Sequence, residues 1–315
     1  MRRGVVPEQH QNNFESKLSK MITITGKTSF VGLLGQPVNH SLSPIIHNVA
    51  YKEMGLDWCY LAMPCNKSDL SRVVKTLRLL DCKGLNITIP HKLEVLKACN
   101  QLTELANNTQ AVNTLIPEKN NQWIGANTDI DGFLTPLKNH NLINKKVVVI
   151  GCGGSARAVV MGLNTLNIKK ITIIGRNKNS LDIFVNNMRK ILSKSLIQIE
   201  GINNKNSNII PYIEEADLII NTTPIGMTSQ KNDQENIPLG SEIWSCLTNK
   251  TILYDLIYTP RPTNWLRLGQ QKNCFTIDGL DMLIEQGAFS IRLWSGFNDV
   301  PVQIMKSTAE KHLMV

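Results

Sequence analysis

The stretch 146-KVVVIGCGGSARAVVMGLN-164 leaves a chain few ways to fold. Positions 147–150 are β-branched without a polar break, as in a strand buried on both faces of a parallel sheet. Gly151, Gly153 and Ala156 then fit G-x-G-x-x-G/A, with Gly154 as an extra small residue, and a run with helical spacing follows. Strand, glycine turn and helix in that order let the backbone approach a pyrophosphate. The helix start offers it unpaired N–H groups and the positive end of a dipole. A glycine-rich turn with no ligand is the competing reading, and the placement between strand and helix weighs against it.

Other segments repeat the alternation. The runs 29-SFVGLLG, 58-WCYLAMP, 84-GLNITIP, 170-KITIIG, 217-DLIINTT and 251-TILYDLIY read as buried strands. The runs 69-DLSRVVKTLRLL and 92-KLEVLKACNQL carry apolar residues at helical spacing. Such alternation predicts parallel α/β sheets, and 315 residues favour two domains. Boundaries are expected near 127-NTDIDGF and 277-IDGL. The long amphipathic segment 280-LDMLIEQGAFSIRLWSG has no strand of its own and is expected to pack back on the first domain. The predicted division is a polar extension over 1–27, a discontinuous α/β substrate domain over 28–128 and 279–315, and a Rossmann-like domain over 129–278. Met21 is an alternative start of translation. The Asn/Lys-rich 201-GINNKNSN and 229-SQKNDQEN read as surface loops.

The second strand of the Rossmann-like unit selects the cofactor. An NAD site places an acidic residue about 20 positions after the glycine turn, to bind the ribose 2′-hydroxyl. Here that position holds Gly175, followed by Arg176, Asn177 and Lys178. A carboxylate would repel a 2′-phosphate, whereas a guanidinium binds it through a bidentate, charge-assisted pair. The prediction is NADP, with Arg176 as the main contact; a solvated turn is the alternative. The loop 221-NTTPIGM follows another strand and is expected to run under the nicotinamide, with Met227 packing nearby.

Composition removes other classes. The net charge of +9 attracts anions, but no basic block interleaved with aromatics occurs, so nucleic acid is not expected as a partner. Seven cysteines without a C-x-x-C pair argue against a disulfide framework or a zinc site, and for a reducing, cytoplasmic compartment. No metal site is expected. No apolar run reaches the roughly 20 residues of a membrane span, and the basic N-terminus lacks the apolar region of a secretory signal.

The run 84-GLNITIPHK-92 is odd for a core strand, because Asn86 and Thr88 share a face and a lysine follows. With 35-GQPVNHSLSPIIHN-48, 111-AVNT-114, 125-GANTDIDG-132, 151-GCGGSA-156, 255-DLIYTPRPT-263 and 279-GLDMLIEQGA-288, it resembles shikimate dehydrogenases in family order from about residue 28 onward. The resemblance implies NADPH-dependent reduction of 3-dehydroshikimate to shikimate, a step toward aromatic amino acids. It implies that Ser41 and Ser43 hold the substrate carboxylate, that Asn86, Thr88, Asn113, Asp129 and Gln286 bind ring hydroxyls, and that Tyr258 borders the pocket. Glu104, Leu256 and Gly279 match positions near the cofactor, as does Ser155 in the glycine turn. Lys92 is the expected proton donor to the forming alkoxide, with Asp129 as its charged neighbour; His47 and His91 are rivals. Cys152 and Ser155 depart from the smaller residues usual in the turn, and Gly175-Arg176-Asn177 from a more frequent Asn-Arg-Thr. A quinate/shikimate enzyme using NAD, a folate dehydrogenase of similar fold and a non-catalytic NADP sensor remain as other readings. The sequence is as compatible with a homodimer as with a monomer.

Overall fold

The computed structural model describes residues 23–205, 208–227 and 237–314. The predicted extension up to residue 22, Met21 included, and the predicted loop 229–236 lie outside the described residues. Two six-stranded sheets are found. The first is built from β1 (Ser29–Gly35), β2 (Trp58–Pro64), β3 (Leu85–Ile87), β4 (Gln101–Leu102), β5 (Thr114–Glu118) and β6 (Gln122–Ala126), in the order β2-β1-β3-β5-β6-β4. β1 lies parallel to β2 and β3, β5 runs antiparallel to β3 and β6, and β4 is parallel to β6.

The second sheet contains β7 (Lys146–Ile150), β8 (Lys170–Gly175), β9 (Gln198–Asn203), β10 (Leu218–Asn221), β11 (Ile252–Asp255) and β12 (Phe275–Ile277). Its order is β12-β11-β10-β7-β8-β9, and every neighbouring pair is parallel. From β7 the chain steps outward through β8 and β9 on one side, then through β10, β11 and β12 on the other. That reversal leaves a crevice at the carboxyl ends of the central strands, where open α/β sheets bind ligands.

Ten α-helices are described: α1 (Ser43–Glu53), α2 (Leu70–Leu79), α3 (Glu104–Thr109), α4 (Asp129–Leu134), α5 (Gly154–Asn164), α6 (Lys178–Ile191), α7 (Ile210–Glu214), α8 (Asn264–Gln271), α9 (Leu280–Ser295) and α10 (Val302–Leu313). On α9, Leu280, Ile284, Ala288 and Ile291 form one buried stripe and pack with Val31 and Leu33 of β1 and with Ile46 of α1. The chain therefore returns to the first sheet after finishing the second. Met282 faces the other way. It joins Phe133 of α4 in the cluster around Val147 and Val149 of β7.

The short helix α4 sits at the junction, and small residues let it do so. A Cβ on Gly132 would lie 2.7 Å from the Met282 carbonyl oxygen, and one on Gly162 of α5 would lie 2.9 Å from the Phe133 ring. Only glycine allows both approaches without displacing a neighbour.

Two local expectations change. Residues 92–102 do not form a helix: a 3-10 turn spans Glu94–Ala98 and gives way to β4, whose backbone pairs with β6. Apolar spacing of three or four cannot separate one helical turn from the approach to an edge strand. Glu104 accordingly starts its own helix, α3, capped by the Thr103 hydroxyl, which accepts from Ala106 N. The segment 201–203, read as loop, completes β9, an edge strand beside β8. Its polarity reflects its place at the rim of the sheet.

Candidate active site

The carboxyl ends of β7, β8 and β10 open onto a cavity of about 460 Å³, which Ile89, Pro90 and Lys92 reach from the first sheet. Gly151 has φ +111°, and a Cβ there would meet Thr222 Oγ1 at 2.5 Å, so the first turn position admits only glycine. Gly153 has no atom within 4 Å of where its Cβ would sit, which leaves an open cradle at the start of α5. Arg176 lines the same cavity, is exposed, and has no acidic partner among the described residues. Asn177 beside it caps α6 by accepting from Ser180 N at 2.9 Å. A glycine cradle at a helix start, with a free guanidinium one strand away, fits a phosphorylated dinucleotide.

The loop after β10 is anchored from beneath by two residues whose role the sequence did not disclose. Asn221 donates to Asp255 Oδ1 at 2.9 Å and accepts from Thr223 N at 3.0 Å. Asp255, fully buried at the end of β11, also accepts from Thr263 Oγ1 at 2.8 Å and Ile257 N at 3.1 Å. Burial pushes its carboxyl up to about 6, against the pull of those donors. The available signal was a polar residue closing each of two apolar runs.

On the side of the first sheet, a continuous polar chain leads to Lys92. Ser41 and Ser43 stand at the start of α1, with Ser43 N donating to Ser41 Oγ at 3.2 Å. The Tyr258 hydroxyl is pushed up by burial, opposed by hydrogen bonds from the Leu42 backbone and Ser41, which places it beside the serines. Tyr60 donates to Asn86 Oδ1 at 2.8 Å. Asn86 Nδ2 in turn reaches Ser290 Oγ at 2.9 Å and Thr114 Oγ1 at 3.1 Å. Ser290 and Thr114 lie 3.2 and 3.3 Å from Thr128 Oγ1, and Asn113 Nδ2 donates to Thr128 Oγ1 at 2.9 Å and Asp129 Oδ1 at 2.8 Å. The other oxygen of Asp129 accepts from Lys92 Nζ at 2.7 Å, and Lys92 also reaches Ser155 Oγ at 3.3 Å. The Lys92 and Asp129 side chains are 13% and 7% exposed, so the pair is sheltered, with Lys92 lining the cavity and Asp129 behind it. Such a pair can stabilise negative charge on an oxygen and deliver a proton to it.

Thr88 follows β3, half-buried, its methyl against Gly35. Gln286, half-buried on α9, borders Gly132 and donates to Leu283 O at 2.8 Å. Of the residues expected near the cofactor, Gly151, Gly153, Gly154, Ser155, Arg176 and Asn177 line the cavity. Ala156 is buried inside α5, Lys178 is exposed and paired with Asp182 at 2.8 Å, and Glu104 is exposed on α3. Met227 is 46% exposed beyond the lining part of its loop. Leu256 and Gly279 touch each other: a Cβ on Gly279 would fall 2.1 Å from the Leu256 carbonyl oxygen.

His47 and His91 lie away from this cavity and both are fully buried. His47 Nδ1 donates to Ser43 O at 2.9 Å and the ring stacks on Tyr60 at 4.1 Å, while burial pulls its imidazole down to about 4. His91 Nε2 donates to Cys65 O at 2.7 Å. Sequence reasoning missed Tyr60, Thr114, Thr128 and Ser290. Ser290 left a trace, a hydroxyl on the apolar stripe of an amphipathic helix.

Residues 33–115 match the shikimate dehydrogenase substrate binding domain, and residues 279–310 match the shikimate 5'-dehydrogenase C-terminal domain. A shikimate dehydrogenase (NADP(+)) of Prochlorococcus marinus (strain MIT 9515) is 50% identical over 290 residues, which cover 92% of this chain and all of the relative. A crystal structure of a shikimate dehydrogenase in complex with NADP+ superposes with a TM-score of 0.81 at 32% identity, over 92% of this chain and 98% of that one. The shikimate 5-dehydrogenase of Listeria monocytogenes, in complex with shikimate and NAD, gives 0.79 at 29% identity over 91% and 98%. With half of all positions shared across the whole of a curated relative, and both sheets superposing on solved members, the chain belongs to the shikimate dehydrogenase family.

Proposed function

We propose that this chain is an NADP-dependent shikimate dehydrogenase, reducing 3-dehydroshikimate reversibly to shikimate on the route to aromatic amino acids. The observation that carries the reading is Lys92 on the wall of the glycine-turn cavity, paired at 2.7 Å with Asp129. Gly151, Gly153 and Gly154 would hold the pyrophosphate and Arg176 the 2′-phosphate. When bound, the reduced cofactor supplies the hydride that attacks the substrate carbonyl carbon.

The chain's own residues do the rest. Ser41 and Ser43 receive the carboxylate. Asn86, Thr88, Asn113, Asp129 and Gln286 meet the ring hydroxyls, each of which would cost about 1–3 kcal/mol if buried unpaired. Lys92, as an ammonium, stabilises the charge growing on the carbonyl oxygen and gives up its proton there; in the reverse direction the neutral amine takes it back. Asp129 holds the amine in place, and its second oxygen is fixed by Asn113.

NAD in the Listeria structure means that the fold alone does not select the phosphate. In this chain the selection rests on Arg176 and on Gly175 standing where an acid would. The seven free thiols suit a reducing, cytoplasmic setting. No helix among the described residues is long and apolar enough to cross a membrane. The test is an absorbance assay with shikimate or quinate against NADP or NAD. Shikimate with NADP should give the highest kcat/KM; no shikimate-dependent reduction of either cofactor would refute the proposal.

A further inference from the structure

An ammonium has three N–H donors, and the structure assigns two of those on Lys92. One goes to Asp129 Oδ2 at 2.7 Å and a second to Ser155 Oγ at 3.3 Å. The acceptors stand on different elements: Asp129 opens α4, while Ser155 is in the first turn of α5, on the glycine turn. One bond to Asp129 sets the rotation about Cε–Nζ only as firmly as that single contact does, and a hydrogen bond tolerates a broad range of angles. A second acceptor on another element narrows that range and so defines where the third N–H points. The glycine turn also holds the stem, because a Cβ on Gly154 would come within 3.0 Å of Lys92 Cβ and 3.3 Å of its Cδ.

We propose that Ser155 is a positioning residue for proton delivery: its hydroxyl fixes the rotation of the Lys92 ammonium so that the remaining N–H meets the reacting oxygen. This goes beyond a role for Ser155 in holding cofactor, and it rests on the function proposed above. In catalytic terms, misplacing a donor costs turnover far more than ground-state binding.

The test uses the full chain with Ser155→Ala and Ser155→Cys. Alanine removes the acceptor from a tight turn without adding bulk, and cysteine keeps the shape while offering only a weak acceptor. Both variants should lower kcat about 10- to 100-fold, the loss expected for one hydrogen bond to a charged group. KM for shikimate should stay within about twofold, and the NADPH dissociation constant, titrated by fluorescence without substrate, within about threefold. Unchanged kcat in Ser155→Ala overturns the inference, as does wild-type turnover in Ser155→Cys, which would make packing the relevant property. A tenfold or greater loss of NADPH affinity, with turnover restored at saturating cofactor, would make Ser155 a cofactor ligand alone. If the wild-type chain itself shows no shikimate-dependent turnover, the proposed function fails instead, so the two failures are distinguishable.

Discussion

Replacing Lys92 by alanine separates chemistry from binding in this site. The substitution removes the Nζ that lies 2.7 Å from Asp129 and 3.3 Å from Ser155, and it leaves Asn86, Thr88, Asn113 and the serine pair unaltered. Loss of a positioned proton donor costs about 10²–10⁴-fold in turnover, or roughly 3–5 kcal/mol of transition-state stabilisation. Stability should fall less. Asp129 keeps its bond from Asn113 Nδ2 at 2.8 Å, and the amine it loses lines the cavity, where water can take its place. Breaking a fully enclosed ion pair costs about 3–5 kcal/mol, so a pair that opens on solvent should cost roughly 1–3 kcal/mol. The assay is shikimate-dependent NADPH formation, with shikimate binding to the variant measured separately by calorimetry. A kcat within threefold of wild type would remove Lys92 from proton transfer. A kcat loss accompanied by an equal loss of shikimate affinity would make Lys92 a binding residue.

Arg176→Asp should weaken NADP binding about 10- to 100-fold while NAD binding changes less than threefold, because a charge-assisted pair is replaced by repulsion of the 2′-phosphate; equal changes for both cofactors in a titration would place the phosphate elsewhere. Gly132→Ala puts a Cβ 2.7 Å from Met282 O and should destabilise the chain by about 1–3 kcal/mol, read from the denaturation midpoint. Asp255 has a carboxyl held at about 6 in the folded protein against an ordinary 3.8, so between those values the folded state binds more protons than the unfolded chain. Its contribution to stability is therefore greatest below about pH 4 and is lost as pH rises through 6, by up to about 3 kcal/mol. Asp255→Asn should abolish that part of the pH dependence, and parallel stability–pH curves for wild type and variant would contradict the assignment.

The difference between what was and was not legible in the residues has a physical basis. The glycine turn announces itself because a tight βα corner tolerates almost nothing else, and Gly151 at φ +111° against Thr222 shows why. Strands buried on both faces, such as β7 and β8, stand out as runs of β-branched residues. Edge and hairpin strands do not: β4 has two residues, β5 contains Pro117, and β9 is polar at the rim. Lys92 and Asp129 emerged from a family resemblance, because no periodicity links residues 37 positions apart. The hydroxyl chain behind them was harder still. Ser290 meets Asn86 across 204 residues of sequence, and only the return of α9 to the first sheet brings them together.

That return also bears on what holds Asp129. In chain order Asp129 opens the 129–278 segment, yet its carboxylate is held by Asn113 and Lys92, both on the side of the first sheet. The helix it begins is clamped to α9 through Gly132, and α9 buries its stripe against β1 and α1. Ser155, by contrast, rides on α5, packed in the core of the second sheet through Ala156, Val159 and Val160. The helix of Asp129 is held from that side too, because its Phe133 packs in the same core against Gly162, so a rotation of one sheet relative to the other would strain both Lys92 contacts, at 2.7 Å to Asp129 and at 3.3 Å to Ser155. The Lys92 amine thus sits where the two sheets meet, bonded to the helix that bridges them and to the glycine turn of the second.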